Sequence, residues 1–239
     1  MEVQHDSAQL KDTSEIVPER KVSHKRTLSS HVLESMRKMS ADCRRRRLNH
    51  FLKLFSLESM TSILDVGGGG DWDWSAMGVM PSITILNLDV VSSSDGKITY
   101  MQGDARNMQA VRDHEFDIAF SNSVIEHVGT FEEQKRMADE VRRTSRAYWV
   151  QTPYRHFPIE PHMMFPFFQY FPLKMRKIIG RYWPFSFEKL RKGDPERDAV
   201  DVCLLTKRQM ELLFPEAEIL KEKFCGMTKS LIAVYNPDR

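Results

Sequence analysis

Four consecutive glycines, at positions 67 to 70, follow the apolar run "ILDV" and precede the acidic, tryptophan-bearing "DWDWSAM". A tight turn needs one or two glycines, so four in a row imply more than a change of direction. Lacking Cβ atoms, such a backbone reaches positive φ and lets a ligand approach closely. At the carboxyl end of a first parallel strand, the turn also points the unpaired N–H groups of the next helix at that ligand. The stretch therefore restricts the chain to folds in which strand, glycine turn and helix build a nucleotide-like cofactor site.

The surrounding pattern agrees. "SILDV" (62 to 66), "ITILNLD" (83 to 89), "KITYMQGD" (97 to 104), "EFDIAFSNS" (115 to 123) and "RAYWVQTP" (146 to 153) are apolar or β-branched runs that stop at polar residues, and each reads as a strand. Between the last two, "FEEQKRMADEVRRTSR" (131 to 146) turns Phe131, Met137 and Val141 to one side of a helix. Strands alternating with helices predict a mostly parallel sheet covered on both faces. "TKRQMELLF" (206 to 214) reads as a helix capped by Thr206, and 216 to 226 with 228 to 236 as an antiparallel edge hairpin. Upstream, Val32, Leu33, Met36, Met39, Cys43, Leu48, Phe51, Leu52 and Phe55 recur at helical spacing behind an N-cap at Ser29 or Ser30, predicting one or two amphipathic helices.

Residues 153 to 202 break this rhythm. Pro153, Pro158, Pro161, Pro166 and Pro172 are too many for a long regular element, and the segment is too aromatic for a free linker. It reads as an ordered insertion holding Tyr154, Arg155, His156, Glu160 and His162. Its second half, 165 to 185, mixes aromatic with basic residues and fits either the core of a lid or a peripheral contact with a membrane surface. The expected organisation is a mobile tail (1 to 25), a helical segment (26 to 60), a cofactor-binding half (61 to 152), a substrate lid (153 to 202) and a closing helix with edge strands (203 to 239).

Composition excludes several classes. With 239 residues and 41% apolar content, the chain builds a full core without staples. Cys43, Cys203 and Cys225 form no CxxC pair, so no cysteine metal site is expected, and their usage fits a reducing compartment. No stretch reaches the roughly 18 apolar residues of a membrane span, and the polar start "MEVQHDSAQLKDTSEIVPERK" has no apolar leader core. A cytoplasmic location is the expectation. The net charge of +2 points to no partner; the clusters "RKVSHKR", "RRRR" and "KMRKIIGR" read first as solvated faces and next as rims for a phosphate-bearing substrate. None is interleaved with aromatics as in an RNA-binding module, so nucleic acid is not an expected partner.

The glycine turn also discriminates among cofactors. A phosphate-cradling GxxxxGK[ST] loop fails, because Gly70 is followed by Asp71, Trp72 and Asp73 with no lysine near. A dinucleotide GxGxxG fails in both registers, ending on Trp72 or Asp73. A cofactor with a sulfonium and an ammonium instead of phosphates gains from nearby carboxylates. On Asp65, Gly67 and Gly69, with Asp71 where a third glycine would stand, the chain resembles the class I S-adenosylmethionine-dependent methyltransferase family. The text "FD…SNSVIEHV" resembles the family after its fourth strand, through Phe116, Asp117, Ser121, Asn122, Glu126 and His127.

That resemblance implies a Rossmann-like α/β fold with a mostly parallel seven-stranded sheet and an antiparallel edge hairpin. It implies S-adenosylmethionine as cofactor, held by Asp65, Gly67, Gly68, Gly69, Asp89, Val90, Asp104, Ala105, Ser121 and Asn122, with Asp89 on the ribose and Asp104 on the adenine. The lid would cover a small-molecule acceptor. Histidine, with its ordinary pKa near 6.5, suits removal of the acceptor's proton, which makes His162, His156 and His127 the candidate bases. A hydroxyl acceptor on a metabolite or sugar-type substrate leads. An amine acceptor and a non-catalytic interaction module stay open, as does the oligomeric state, and no metal is called for.

Overall fold

The computed structural model describes residues 28–58, 61–68, 72, 74, 81–90, 93–96, 98–183 and 202–238. The expected tail, Gly69, Gly70, Asp71, the helix expected after the glycines and the lid from 184 to 201 lie outside the described residues. The chain divides between Cys43 and Arg44, and the larger unit, 44–239, holds the sheet. The amino-terminal pattern forms one helix, α1 (Leu28–Leu54), which enters this unit from Arg44 onward.

The strands are β1 (Ser62–Val66), β2 (Ser82–Asn87), β3 (Ser93–Asp95), β4 (Ile98–Gln102), β5 (Phe116–Asn122), β6 (Ser145–Pro153), β7 (Ile159–Glu160), β8 (Phe165–Pro166), β9 (Glu218–Phe224) and β10 (Met227–Tyr235). Among the described residues the main sheet has the order β3-β4-β2-β1-β5-β6-β10-β9. Strands β4, β2, β1, β5 and β6 are mutually parallel, and β9 and β10 form the expected antiparallel hairpin. These are the seven strands expected from the sequence. The three residues of β3 add a short antiparallel edge on β4.

Strand β1 is central because its side chains are buried on both faces. Ile63 pairs with Ile83 and Ile118, while Leu64 and Val66 are wholly buried. Against one face pack α2 (Phe131–Thr144) and α4 (Lys207–Leu213), through Met137, Val141, Met210 and Leu213. The other face takes the end of α1, where Phe51 and Phe55 meet Ile63, Trp74, Phe120 and Trp149. Thr130 and Glu133 cap α2 reciprocally, and Thr206 and Gln209 cap α4 in the same way.

After β6 the insertion folds as the β7–β8 ribbon, a 3-10 turn at Phe168–Tyr170 and helix α3 (Leu173–Tyr182). Met163 and Phe168 bury themselves with Phe165 and Ile179 in a small core of their own. On its outer side α3 exposes Leu173, Met175, Ile178 and Tyr182 beside Lys174, Lys177 and Arg181.

Candidate functional site

A cleft of about 420 Å³ opens where the parallel strands end. Gly67 follows β1, Asn87 ends β2, Asp104 follows β4 and Val124 follows β5, so four strand ends converge on one opening. This is where open α/β sheets bind ligands, and the volume suits a small molecule.

The glycine turn is built for close approach. Gly67 has φ +78°, and a Cβ there would stand 2.5 Å from Cγ1 of Val124. Its N–H donates to the Leu86 carbonyl at 2.7 Å. At Gly68 a Cβ would collide with the Asp65 carboxylate. Asp65 itself lies beneath the turn, 3% exposed, and accepts a 2.9 Å bond from the Trp74 indole. Burial pushes its carboxyl up to about 7. Asn87 holds the turn from the side, its Nδ2 donating to the Gly68 carbonyl at 2.9 Å.

Asp104 and Ala105 line the cleft, as does Arg106. Arg106 grips Asp104 through Nε and Nη2, the latter at 2.7 Å from Oδ2, and reaches Glu133 through Nη1 at 2.8 Å. These bonds hold the Asp104 carboxyl below the ordinary range. Asp89 is exposed past the end of β2, its N–H turned back to Asn87 Oδ1 at 3.3 Å, and Val90 is half-buried; the lining at this point is Asn87 and Leu88. Ser121 is buried with its hydroxyl on the Val66 carbonyl, and Asn122 accepts from Arg47, so neither lines the cleft.

Of the three candidate bases, the structure brings two together. His127 stands on the cleft wall at the end of a 3-10 turn, Ile125–His127. His162, from the loop between β7 and β8, places Nε2 3.1 Å from Nε2 of His127, with the rings perpendicular. Behind it, His162 Nδ1 is 2.6 Å from the buried Glu160 carboxylate, which also accepts from the Met163 N–H at 2.6 Å. Burial works to raise the Glu160 carboxyl, but the bonds and charge of His162 prevail and hold it low. His156 lies apart, 2.6 Å from the Tyr170 hydroxyl.

Arg47 corrects the reading of "RRRR" as a solvated face. It is 8% exposed, with two or more bonds to Glu222 and others to Asn122, Gln151 and Ser230. Asn87, Arg106 and Arg47 carry no mark in the sequence as site or core groups; only the packing of strands distant in sequence reveals them.

Fold and cleft define a Rossmann-like α/β protein with an open cleft at the carboxyl ends of its parallel strands. Residues 64–147 match a family model described as a methyltransferase domain. Among solved structures, magnesium protoporphyrin IX methyltransferase from Synechocystis PCC 6803, with bound SAH, is 11% identical at TM-score 0.50, the match covering 88% of each chain. A candidate methyltransferase from an antibiotic biosynthesis pathway of Anabaena variabilis is 18% identical at TM-score 0.49, covering 75% of this chain and 64% of that one. Phosphoethanolamine N-methyltransferase 2 of Haemonchus contortus, in complex with S-adenosyl-L-methionine, is 14% identical at TM-score 0.48, covering 74% and 38%. The chain thus spans less than two thirds of the Anabaena and Haemonchus proteins. No curated protein matches its sequence.

Proposed function

We propose that the chain transfers a methyl group from S-adenosylmethionine to a hydroxyl of a small-molecule acceptor. One observation carries the reading: the cleft formed by Gly67, Asn87 and Asp104 continues to His127, and the insertion delivers His162 to that same point. The donor set fits the cofactor. Among the described residues the lining holds no lysine, and its one arginine is engaged by Asp104 and Glu133, so the cleft favours hydroxyl, amino and cationic groups over phosphates.

When bound, S-adenosylmethionine supplies an electrophilic methyl on a sulfonium. The chain's own part is binding and alignment. Gly67 gives the close backbone approach, Asp104 accepts from the nucleoside, and the His127–His162 pair orients the acceptor hydroxyl, with Glu160 fixing the His162 ring. Cofactor binding measured by calorimetry, followed by transfer of labelled methyl to metabolite extracts, tests this. His162→Ala is expected to slow transfer by about 10²- to 10⁴-fold while cofactor affinity stays level. A folded chain that binds no cofactor, or one that labels only protein or nucleic acid, overturns it.

The outer side of α3 favours a second, compatible reading, that acceptors are met at a membrane surface. Exposed Leu173, Ile178 and Tyr182 are interspersed with Lys174, Lys177 and Arg181, the make-up of an interfacial helix. No helix among the described residues is long and apolar enough to cross a membrane. Co-sedimentation with anionic vesicles that is unchanged in Leu173→Asp/Ile178→Asp removes this reading.

A further inference from the structure

We propose that Glu126, His127 and His162 form a binding site for one divalent cation of the imidazole-preferring first-row class, with Zn²⁺ as the reference ion. The site deepens the methyltransferase reading, on which its role but not its existence rests.

Geometry comes first. Each of the three residues offers a ligand atom, and these atoms all lie within 4.8 Å of one another. The two Nε2 atoms are 3.1 Å apart. For metal–nitrogen bonds of about 2.1 Å, that separation subtends an angle of about 95° at the ion, in the range of neighbouring ligands in a four- or five-coordinate site. The carboxylate closes the set from the same turn that carries His127.

Glu126 supplies an independent observation. It is 0% exposed. Oε2 accepts from the Thr152 hydroxyl at 3.0 Å, but Oε1 is buried with no hydrogen-bond partner among the described residues. A buried carboxylate oxygen left this way is costly unless a cation compensates it. A hydrogen bond between the two histidines would account for their contact and leave Oε1 unexplained. An ion accounts for both.

The supporting shell is in place as well. Glu160 accepts from Nδ1–H of His162, the tautomer that leaves the Nε2 lone pair for a metal, and such a carboxylate behind a ligating histidine fixes its ring. The turn carrying Glu126 and His127 is held by Cys203 N–H on the Glu126 carbonyl at 2.8 Å and by Gln134 Nε2 on the Ile125 carbonyl at 3.0 Å. Two histidines and one carboxylate leave at least one position open, and His127 lines the cleft. A hydroxyl bound at that position loses its proton to water more readily and stays fixed as the oxygen anion.

The test uses the full chain, stripped with a chelator and dialysed, then titrated with Zn²⁺ against a chromogenic chelator and with Co²⁺ by visible absorption. One equivalent of either ion is expected, with a Co²⁺ spectrum of low coordination number. Affinity should fall at least about tenfold in His162→Ala and Glu126→Gln, and about 10- to 100-fold in Glu160→Gln. Thermal melts establish that each variant is folded, and the Co²⁺ spectrum of the unmodified chain reports nitrogen ligation without any variant. No uptake by the stripped chain, or equal affinity in folded His162→Ala and Glu126→Gln, overturns the site. Ion binding without cofactor binding leaves the site standing and removes the methyltransferase reading. Full methyl transfer by the chain shown to be free of metal removes the ion's role and leaves that reading intact.

Discussion

The indole of Trp74 donates a 2.9 Å hydrogen bond to Oδ2 of Asp65, closing over a carboxylate that the glycine turn hides from water. Burial pushes the Asp65 carboxyl from 3.8 up to about 7, with the indole bond opposing the shift. The folded state therefore holds a proton that the unfolded chain releases, and Asp65 makes stability fall as pH rises from about 4 to about 7, after which its effect is constant. Asp65→Asn keeps an acceptor for Trp74 and removes the charge. In the absence of cofactor, urea unfolding is expected to show no gain for this variant near pH 4 and a gain of up to about 4 kcal/mol above pH 7. A difference that does not vary with pH would show that Asp65 stays ionised at no cost.

Gly67 answers to two constraints that a pair of substitutions separates. Its φ of +78° disfavours any side chain, and a Cβ would press on Val124 Cγ1. Gly67→Ala is expected to cost about 1 to 2 kcal/mol for the backbone alone, plus the collision. Adding Val124→Ala should recover the collision and leave the backbone cost. If the double variant is no more stable than the two losses added together, the contact with Val124 does not constrain the turn.

Asn87 and Asp89 give opposite expectations for cofactor affinity from sequence and structure. The ribose role assigned to Asp89 rests on resemblance, while Asn87 lines the cleft and ties down the Gly68 carbonyl. Asn87→Ala is expected to weaken S-adenosylmethionine binding more than Asp89→Ala does. Asp104→Ala should weaken it about tenfold or more, as loss of a charged acceptor does. Calorimetry on the three variants ranks them, and a larger loss at Asp89 would return the ribose contact to that residue.

The strands, their order of appearance and the capping of the helix at 207–213 are legible in the sequence because they rest on local pattern. Leu64 and Val66 read as core from one short run, and Thr206 reads as a cap from its position before "KRQMELL". The site is legible only in parts. His127 and His162 each stand out as titratable groups, but they are 35 residues apart, and their contact depends on how the β7–β8 ribbon folds back. Glu126 looks like one letter of a motif, since nothing in a linear text shows that one of its oxygens is buried without a partner among the described residues. Asp89 outweighs Asn87 in the text because the acidic residue carries the familiar chemistry, whereas the grip of Asn87 on Gly68 emerges only once β2 lies beside β1.

The guanidinium of Arg47 is the clearest case of a charge whose meaning lies elsewhere in the chain. Its partner Glu222 is 175 residues away, on β9, and Nη2 reaches Oε2 at 2.7 Å while Nη1 meets Asn122 and Gln151 at the ends of β5 and β6. Burial works to raise the Glu222 carboxyl, but the bonds from Arg47 outweigh it and hold it below the ordinary 4.5. For an acid with a depressed folded pKa, the stabilisation is complete above the unfolded value and is lost as pH falls through the folded one. Glu222→Ala leaves a buried cation uncompensated and is expected to cost about 3 to 5 kcal/mol at pH 7. The loss should shrink as pH falls below the ordinary carboxylate range and the unmodified Glu222 also gives up its charge. Arg47→Met/Glu222→Leu should restore most of the stability, because an apolar pair of similar volume avoids the desolvation of both ions. Urea unfolding of the single and double variants at pH 7 decides the point. If the double variant is as unstable as Glu222→Ala, the cluster is needed for its hydrogen bonds to Asn122, Gln151 and Ser230, which tie β5, β6 and β10 together beside the cleft.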